Sequence, residues 1–270
     1  MGNIITITDQ EFLQFQRFIY ETAGISMSPA KKALVSGRLA KRVQQCRLNN
    51  YGEYFRLLTS GNDAAEVQTA IDLLTTNETY FFREPKHFDQ LREAACKLRR
   101  SGQTFRVWSA ASSSGEEAYS IAMVLADTLG DAPWEVVGSD ISTRVLARAR
   151  TGHYPLERTT HIPPDYLKRY CLKGTGTQQG TLLIERSLRQ RVQFLQVNLN
   201  GTLPQLGTFD VIFLRNVMIY FNGDTKQQVV ARVLSLLKPN GCFFIGHSES
   251  LHGVTDQVQP VMPSVYRKTA

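Results

Sequence analysis

The chain of 270 residues has few cysteines, and they form no recognisable metal or disulfide pattern. Cys46, Cys96, Cys171 and Cys242 lie far apart, without a CxxC pair and without a histidine at metal-ligand spacing. A chain of this length has enough core to fold without disulfides, so we expect reduced thiols. The histidines are equally scattered and no HExxH motif is present, so no metal site is predicted.

Long hydrophobic runs are also absent. No apolar run approaches the roughly 18 residues that a membrane-spanning helix needs, because charged or polar residues interrupt every hydrophobic block. The opening MGNIITITDQ has no basic stretch followed by an apolar one, so no secretion signal is predicted. Hydrophobic residues make up 42%, and 31 Lys and Arg against 24 Asp and Glu give a formal charge of +7. This composition is typical of a folded globular protein.

The first eighty residues predict helices. An apolar stripe repeats at helical spacing after the capping pair Thr8-Asp9. A second helix is predicted near residues 30–46, after Ser28-Pro29, and a third ends near TTNET. The three stripes are Phe12, Phe15 and Ile19; Val35, Leu39 and Val43; and Val67, Ile71 and Leu74. We therefore predict a small all-helical domain.

The second predicted helix is strongly basic. Residues 28–50 contain no acidic residue at all. Like charges along one helix repel each other, so an acidic partner is one interpretation and a solvated helix face is the other. The basic side chains are Lys31, Lys32, Arg38, Lys41, Arg42 and Arg47.

From about residue 100 the pattern changes to β-rich runs that alternate with helical ones. This alternation predicts an α/β fold, an open and mostly parallel sheet with helices on both faces. The predicted strands are 104–110, 134–140, 192–199, 209–216 and the run CFFIGHS, with VMPSVYRK as a candidate edge strand. A helix at about 224–237 leads into CFFIGHS through the turn sequence KPNG.

Ligands bind beyond the carboxyl ends of the strands in such a sheet. The first strand runs into ASSSGEE, whose small residues allow a close approach but which lacks the GxGxxG dinucleotide fingerprint. Glu116 and Glu117 disfavour phosphate and suit a cationic or neutral ligand. Asp140 ends the second strand, where a carboxylate can accept hydrogen bonds from both hydroxyls of a ribose. The alternative interpretation is that Asp140 is the N-cap of the next helix. Adenosine with a positively charged, phosphate-free tail describes S-adenosylmethionine.

Six segments carry a family resemblance: TTNETYFFRE (75–84), ASSSGEEAYSIAM (111–123), GSDIS (138–142), VNL (197–199), FDVIFLRNVMIYF (209–221) and LLKPNGCFFIGHSES (236–250). In this order they are similar to the motifs of the CheR family, the chemotaxis-receptor glutamate methyltransferases. The combination of NETYFFRE with RNVMIYF is highly specific. One departure is Ala118, where many relatives have proline, and both residues are acceptable in a first helical turn.

The resemblance implies methyl transfer from S-adenosylmethionine to receptor glutamates, with S-adenosylhomocysteine as the product. It implies a helical receptor-docking domain (1–80) and a Rossmann-like S-adenosylmethionine-dependent methyltransferase domain (81–270) with an antiparallel β-subdomain inserted at about 151–190. It assigns Arg83 and Tyr220 to the active site, although Tyr220 would otherwise be interpreted as a core aromatic residue. It implies cofactor contacts at Asn77, Thr79, Arg83, Glu117, Asp140, Asn198, Leu199, Arg215 and Asn216.

The resemblance also implies partners. The insertion contains GTGTQQG, which lacks the GK[ST] of a phosphate loop, and its flanks KRYCLK and TLLIER predict an antiparallel hairpin. In some CheR-like proteins this subdomain binds a receptor's C-terminal pentapeptide as an added strand, which makes Gly174, Gly176 and Gly180 candidates for the tether. The basic helix is expected to dock on the cytoplasmic methylation helices of chemoreceptors through Lys31, Lys32, Arg38, Lys41 and Arg42. We expect a cytoplasmic monomer, recruited to membrane receptor arrays and not inserted in the membrane.

Three other interpretations have less support in the sequence. The basic charge suggests a nucleic-acid binder or RNA methyltransferase, but the basic helix lacks interleaved aromatics and no RRM, KH or zinc pattern is present, so no nucleic-acid partner is predicted. Intact Arg83, Asp140, Asn216 and Tyr220 argue against a catalytically silent adaptor. GHSES (246–250) resembles a truncated hydrolase elbow, without its final glycine.

Overall fold

The computed structural model describes residues 6–98 and 102–269. The chain divides into two compact units, one made of the residues up to Thr76 with Tyr220–Thr225, the other of Asn77–Ile219 and the residues from Lys226 onward. MGNII, the first half of the segment for which no secretion signal is predicted, lies outside the described residues. Among the residues that are described, no helix is long and apolar enough to cross a membrane.

The first unit is helical, as predicted. Thr8 caps its first helix in a capping box, since its hydroxyl accepts from the Glu11 amide at 3.2 Å while the Glu11 carboxylate accepts from the Thr8 amide at 2.8 Å. A helix that the sequence analysis did not predict begins after Asn50, whose side chain accepts from the Glu53 amide. The helices of this unit are Asp9–Ala23 (α1), Lys32–Gln45 (α2), Tyr51–Thr59 (α3) and Ala64–Leu74 (α4).

An aromatic cluster closes the core of the helical unit. The Phe15 ring stacks on Tyr54 at 6.2 Å between centroids and meets the edge of Tyr51 at 6.5 Å. The predicted stripe of α2, namely Val35, Leu39 and Val43, is fully buried in the same unit. Burying each of these aliphatic side chains contributes about 1.5–3 kcal/mol, so α2 is fixed by its apolar face.

The second unit is built on a seven-stranded sheet within the described residues. Its strand order is β6-β2-β1-β7-β8-β10-β9. The first five are parallel, and the last two add an antiparallel hairpin. The strands are Phe105–Ser109 (β1), Trp134–Asp140 (β2), His153–Pro155 (β3), Cys171–Lys173 (β4), Thr181–Ile184 (β5), Val192–Gln196 (β6), Phe209–Leu214 (β7), Leu237–Ile245 (β8), Val258–Met262 (β9) and Val265–Lys268 (β10).

Helices connect the parallel strands and confirm the doubly wound α/β prediction. The chain runs from β1 outward through β2 to β6, then returns to the other side of β1 with β7. The order of the strands therefore reverses between β1 and β7, which is the point where such sheets bind ligands. The remaining helices are Lys86–Leu98 (α5), Glu116–Leu129 (α6), Thr143–Thr151 (α7), Pro164–Tyr170 (α8), Arg186–Arg189 (α9) and Gly223–Ser235 (α10).

The inserted subdomain, defined here as residues 152–190, is a small antiparallel sheet in the order β3-β5-β4. Pairing of β4 with β5 confirms the hairpin predicted around GTGTQQG. Two details differ from the predictions. The KPNG segment is not a turn before the strand but part of β8, where Asn240 has a positive φ of 63° and the pairing of β8 with β7 shifts in register. The segment VMPSVYRK contributes to two strands, β9 and β10, and not to one.

Candidate active site

The loop after β1 is joined to the end of β2 by Asp140. One carboxylate oxygen accepts from the Ser113 amide and the other from the Ser142 amide, both at 2.9 Å. Ser142, not Asp140, is the N-cap residue of α7, so the alternative interpretation of Asp140 as the helix cap is wrong. Asp140 therefore orients the loop after β1 at the carboxyl end of the parallel strands, where such sheets bind ligands.

Small and polar side chains shape the space beside Asp140. A Cβ atom at Gly138 would lie 2.6 Å from the Phe194 ring and 3.1 Å from the Ser112 hydroxyl, so only glycine fits this strand position. The hydroxyls of Ser112 and Ser142 are buried, and no described residue hydrogen-bonds to them. Hydroxyls without partners next to an oriented carboxylate fit the polar edge of a ribose, because buried polar groups need partners.

A buried arginine at the end of β7 lies between two carboxylates. The Arg215 guanidinium is 3.0 Å from Glu117 on α6 and 3.0 Å from Glu84. Burial raises the pKa of the Glu117 carboxyl above its ordinary value, against the opposing effect of Arg215. Burial has the same tendency at Glu84, but Arg215 and the amide of His247 lower the pKa of that carboxyl below its ordinary value. Arg215 thus holds the two carboxyl groups on either side of its guanidinium at the strand ends.

The loop after β7 is held by Glu249. Its carboxylate accepts from the backbone amides of Asn216, Met218 and Gly246 at 2.7–2.9 Å. Asn216 has a positive φ of 56°, a conformation that costs about 1 kcal/mol or more and that these contacts maintain. The GHSES segment therefore contributes an anchoring carboxylate, a role that the hydrolase-elbow alternative did not anticipate.

Residues 77–84 border the same strand ends. The Asn77 carbonyl accepts from the Ser113 hydroxyl at 3.1 Å, and the Arg83 carbonyl accepts from Arg215 at 2.5 Å. The Arg83 guanidinium is half-buried, donates to the Glu78 carbonyl and lies over the Tyr80 ring at 5.7 Å. Within the described ranges no carboxylate forms an ion pair with Arg83, so its guanidinium remains able to bind an incoming carboxylate.

The segment after β6 reaches Asp140 through its backbone. The amide of Val197 donates to the Asp140 carbonyl at 3.0 Å. Next along the chain, the Asn198 side chain accepts from the Asn200 amide at 3.0 Å and Leu199 is buried. The structure thus groups Asn77 with Asp140 through Ser113, and it groups Glu117 and Asn216 with Arg215 through Glu84 and direct ion pairing. Asn198 and Leu199 directly follow Val197, whose amide bonds to Asp140.

Tyr220 lies in the other unit. It ends a short 3-10 turn, Met218–Tyr220, and its carbonyl accepts from the Ser26 amide at 2.8 Å. Its side chain is half-buried and does not belong to the fully buried core. The alternative interpretation of Tyr220 as an ordinary core aromatic is therefore wrong, and its active-site role stays a prediction.

Several basic side chains in and next to α2 form contacts within the helical unit that the sequence did not predict. Arg42 forms an ion pair with buried Glu66, and Lys32 pairs with Asp9 at 2.7 Å. Arg38 donates to the carbonyls of residues 74 and 75 at 2.9 and 3.1 Å. The expectation of unrelieved charge along the helix is wrong for these three side chains, because they connect parts of the helical unit. Lys31, Lys41 and Arg47 are exposed, and no described residue forms an ion pair with them.

Two histidines that seemed scattered in the sequence lie together. The Glu84 carboxylate is 3.3 Å from Nδ1 of His87 and 3.9 Å from Nε2 of His247. Burial and the nearby Arg215 guanidinium lower the pKa of His87 to about 3, so this imidazole is neutral. Arg215 already neutralises Glu84 and its positive charge opposes a divalent cation at this place, so the group is an extension of the Arg215 cluster.

Comparison with known proteins agrees with this geometry. Residues 10–75 match the family model "CheR methyltransferase, all-alpha domain", and residues 77–266 match "CheR methyltransferase, SAM binding domain". A chemotaxis protein methyltransferase of Escherichia coli (strain K12) is 45% identical over 255 residues, which cover 93% of this chain and 87% of that protein. That of Salmonella typhimurium is 42% identical over 271 residues, with coverages of 98% and 92%. Chemotaxis protein methyltransferase 2 of Pseudomonas aeruginosa is 42% identical over 262 residues, with coverages of 96% and 93%.

The matches extend over both units and include every segment that contributes to the strand-end site. The family description names S-adenosylmethionine as the cofactor. The oriented Asp140 carboxylate and the buried hydroxyls of Ser112 and Ser142 fit the ribose of this cofactor. The chain therefore belongs to the CheR family of S-adenosylmethionine-binding methyltransferases.

Proposed function

We propose that this protein methylates glutamate side chains of chemotaxis receptors, forming glutamate methyl esters. The observation that carries the proposal is the half-buried Arg83 guanidinium, which has no carboxylate partner among the described residues and whose backbone is bonded to the Arg215 cluster. Membership of the CheR family and relatives named chemotaxis protein methyltransferase support the same substrate.

The chemistry asks for alignment more than for acid or base catalysis. S-adenosylmethionine, when bound, supplies a methyl group on a positively charged sulfur. A glutamate with a pKa near ~4.3 is already ionised at pH 7, so no base is needed to activate it. Arg83 binds a carboxylate through its planar fork, and the Tyr220 hydroxyl orients the attacking oxygen. These two residues act on the reacting groups.

The remaining predicted residues hold the cofactor. The Asp140 carboxylate accepts hydrogen bonds from the ribose hydroxyls, and the neighbouring Ser112 and Ser142 hydroxyls can donate to the ribose. Glu117 and Glu84, held on either side of Arg215, provide carboxyl groups beside the bound cofactor. Asn77, Thr79, Asn198, Leu199 and Asn216 complete the contacts.

We propose that receptor recognition uses two surfaces. The exposed charges of Lys31, Lys41 and Arg47 face the acidic methylation helices, while Lys32, Arg38 and Arg42 maintain the helix that presents them. The hairpin at Gly174, Gly176 and Gly180 is the candidate tether for a receptor C-terminal pentapeptide. The protein acts as a cytoplasmic monomer that is recruited to receptor arrays.

The test is the chemical nature of the product. The protein is incubated with radiolabelled S-adenosylmethionine and receptor-containing membranes, and the labelled receptor is treated with mild alkali. Glutamate methyl esters release volatile labelled methanol. Label that remains on the protein, or that appears on nucleic acid, would show a methylated amine or base and would contradict the proposal.

A further inference from the structure

The inserted subdomain contacts the cofactor loop through Arg158. This residue follows β3 in a short 3-10 turn, Leu156–Arg158. Its Nη2 lies 2.6 Å from the Glu116 carboxylate and 3.4 Å from the Ser114 hydroxyl, both in or next to the loop after β1. The same nitrogen donates to the Thr79 carbonyl at 3.1 Å. One guanidinium therefore connects the two segments that carry several of the predicted cofactor contacts.

Tyr154 on β3 makes a second contact with this loop. Its hydroxyl donates to the Ser114 carbonyl at 2.7 Å, and its ring meets the edge of Phe81 at 5.0 Å between centroids. The side chain is almost completely buried, and burial raises the pKa of Tyr154 well above its ordinary value, so the hydroxyl remains a donor at neutral pH. The loop is thus attached to the insertion at two points.

Glu116 needs this partner because its carboxyl group is fully buried. The Ser114 hydroxyl donates to it at 2.7 Å, and Arg158 supplies the countercharge. Burial raises the pKa of the Glu116 carboxyl, while Ser114 and Arg158 oppose the shift. Without Arg158 a buried charge would be left uncompensated, which is costly, so the carboxyl would take up a proton or the loop would move.

The loop itself stores strain. Ser113 has a positive φ of 47°, an unfavourable conformation for a residue with a side chain, and its amide donates to Asp140. A strained loop keeps such a conformation only when surrounding contacts fix it. Arg158 contacts Ser114, which directly follows Ser113, and Glu116 at the start of α6.

We propose that Arg158 is a positioning residue for S-adenosylmethionine: through Glu116, Ser114 and the Thr79 carbonyl, it holds the loop after β1 and the segment 77–84 in the geometry that binds the cofactor. The inserted subdomain is then part of the cofactor-binding apparatus, in addition to any role as a tether. The inference rests on the cofactor site proposed above.

The test is Arg158→Met, which keeps much of the apolar stem and removes the guanidinium. We expect calorimetry to show S-adenosylhomocysteine binding weakened tenfold or more and KM for S-adenosylmethionine raised by a similar factor. The kcat at saturating cofactor should stay within twofold, because Arg158 does not touch the reacting groups. Arg158→Lys keeps the positive charge but only part of the hydrogen-bonding capacity of the guanidinium, so we expect its affinity for S-adenosylhomocysteine to fall about threefold.

The matched control is Arg169→Met. Arg169 lies in the same subdomain and forms an ion pair with Asp127 outside the loop, so its loss should leave cofactor affinity unchanged. Equal affinity losses in both methionine variants would indicate general loosening of the subdomain and overturn the proposal. Wild-type affinity in folded Arg158→Met, or in Arg158→Lys if the methionine variant does not fold, would also overturn it. If the wild-type protein binds no S-adenosylhomocysteine, the cofactor site itself is wrong and the inference falls with it.

Discussion

At the scale of single residues, the site depends on side chains that each satisfy several groups. Arg215 contacts two carboxylates and a carbonyl, Asp140 accepts two backbone amides, and Glu249 accepts three. Such residues fix loops that have no regular secondary structure of their own. Removing one of them therefore affects both the shape of the site and its chemistry.

Asp140 is the first residue to test. Asp140→Ala removes a charged acceptor, for which the expected loss of S-adenosylmethionine binding is about 1.5–3 kcal/mol, or roughly 10- to 150-fold in Kd. Calorimetric titration measures it, and circular dichroism checks that the variant is folded. Asp140→Asn keeps one acceptor oxygen and should lose less. Unchanged affinity in folded Asp140→Ala would remove this residue from the site.

Tyr220 is predicted to act in the chemical step. Tyr220→Phe deletes only the hydroxyl, so kcat should fall roughly 10- to 100-fold, because this is the rate effect of losing one hydrogen bond to a charged group. The Kd for S-adenosylhomocysteine should stay unchanged. Steady-state kinetics and calorimetry separate the two quantities. Wild-type turnover would show that Tyr220 has only a structural role.

Sequence patterns locate the site residues that end strands, but not those that act across the fold. Asp140 and Arg215 directly follow or end apolar strands, and the rule for parallel sheets brings them to one edge. Glu84 and Glu249 contact Arg215 and Asn216 from positions 131 and 33 residues away, and Arg158 contacts Thr79 across 79 residues. No local period encodes such distances, so these residues were missed.

At the scale of elements, α2 contains charges of two kinds. Arg42 points to buried Glu66, whereas the neighbouring Lys41 is exposed. Sequence periodicity identified the apolar stripe of the helix correctly, because burial follows the helical repeat. It did not separate inward from outward charges, since an arginine stem reaches past the stripe to a partner on another helix.

This difference predicts opposite phenotypes for neighbouring residues. Arg42→Met should lower the free energy of unfolding by about 1–3 kcal/mol, because Glu66 loses its partly exposed partner. Arg42 lowers the pKa of Glu66 below its ordinary value of 4.5, so the pair stabilises the fold above that pH and its contribution is lost as the pH falls. Urea unfolding at pH 7 and at pH 3.5 should therefore show a smaller difference between wild type and variant at the lower pH.

Lys41→Glu is the matched variant on the same helix. It should leave the unfolding free energy within about 0.5 kcal/mol of wild type, as surface substitutions do. Receptor methylation should slow, and its dependence on salt should weaken, because exposed charges are screened within about 8–10 Å. A methylation rate that is unchanged in Lys41→Glu would exclude α2 as the docking surface.

At the scale of the whole molecule, the proposed docking helix and the proposed tether belong to different units. Helix α2 lies in the helical unit, and the hairpin of β4 and β5 in the other. A tether raises the local concentration of enzyme without changing the docking contacts or the chemical step. The two surfaces should therefore affect methylation independently.

Gly174 allows this independence to be tested. A Cβ atom there would lie 2.0 Å from the Gln178 carbonyl oxygen, so Gly174→Ala forces the hairpin turn to move. We expect it to abolish binding of a receptor C-terminal peptide and to slow methylation of full-length receptor, but not of receptor lacking that peptide. Gly176→Ala meets no atom within 4 Å and should have a smaller effect, limited to the strain of a positive φ.

Combining the two changes gives the decisive measurement. Lys41→Glu should slow methylation of both receptor forms by the same factor, and adding Gly174→Ala should multiply that factor only for the receptor that carries the peptide, since independent sites add in free energy. Methylation rates with the two receptor forms and four enzymes measure this directly. Slower methylation of the peptide-free receptor by Gly174→Ala would mean that the hairpin supports catalysis and is not a separate tether. Wild-type protein that binds no receptor peptide would leave the hairpin a structural element, with the methyltransferase activity intact.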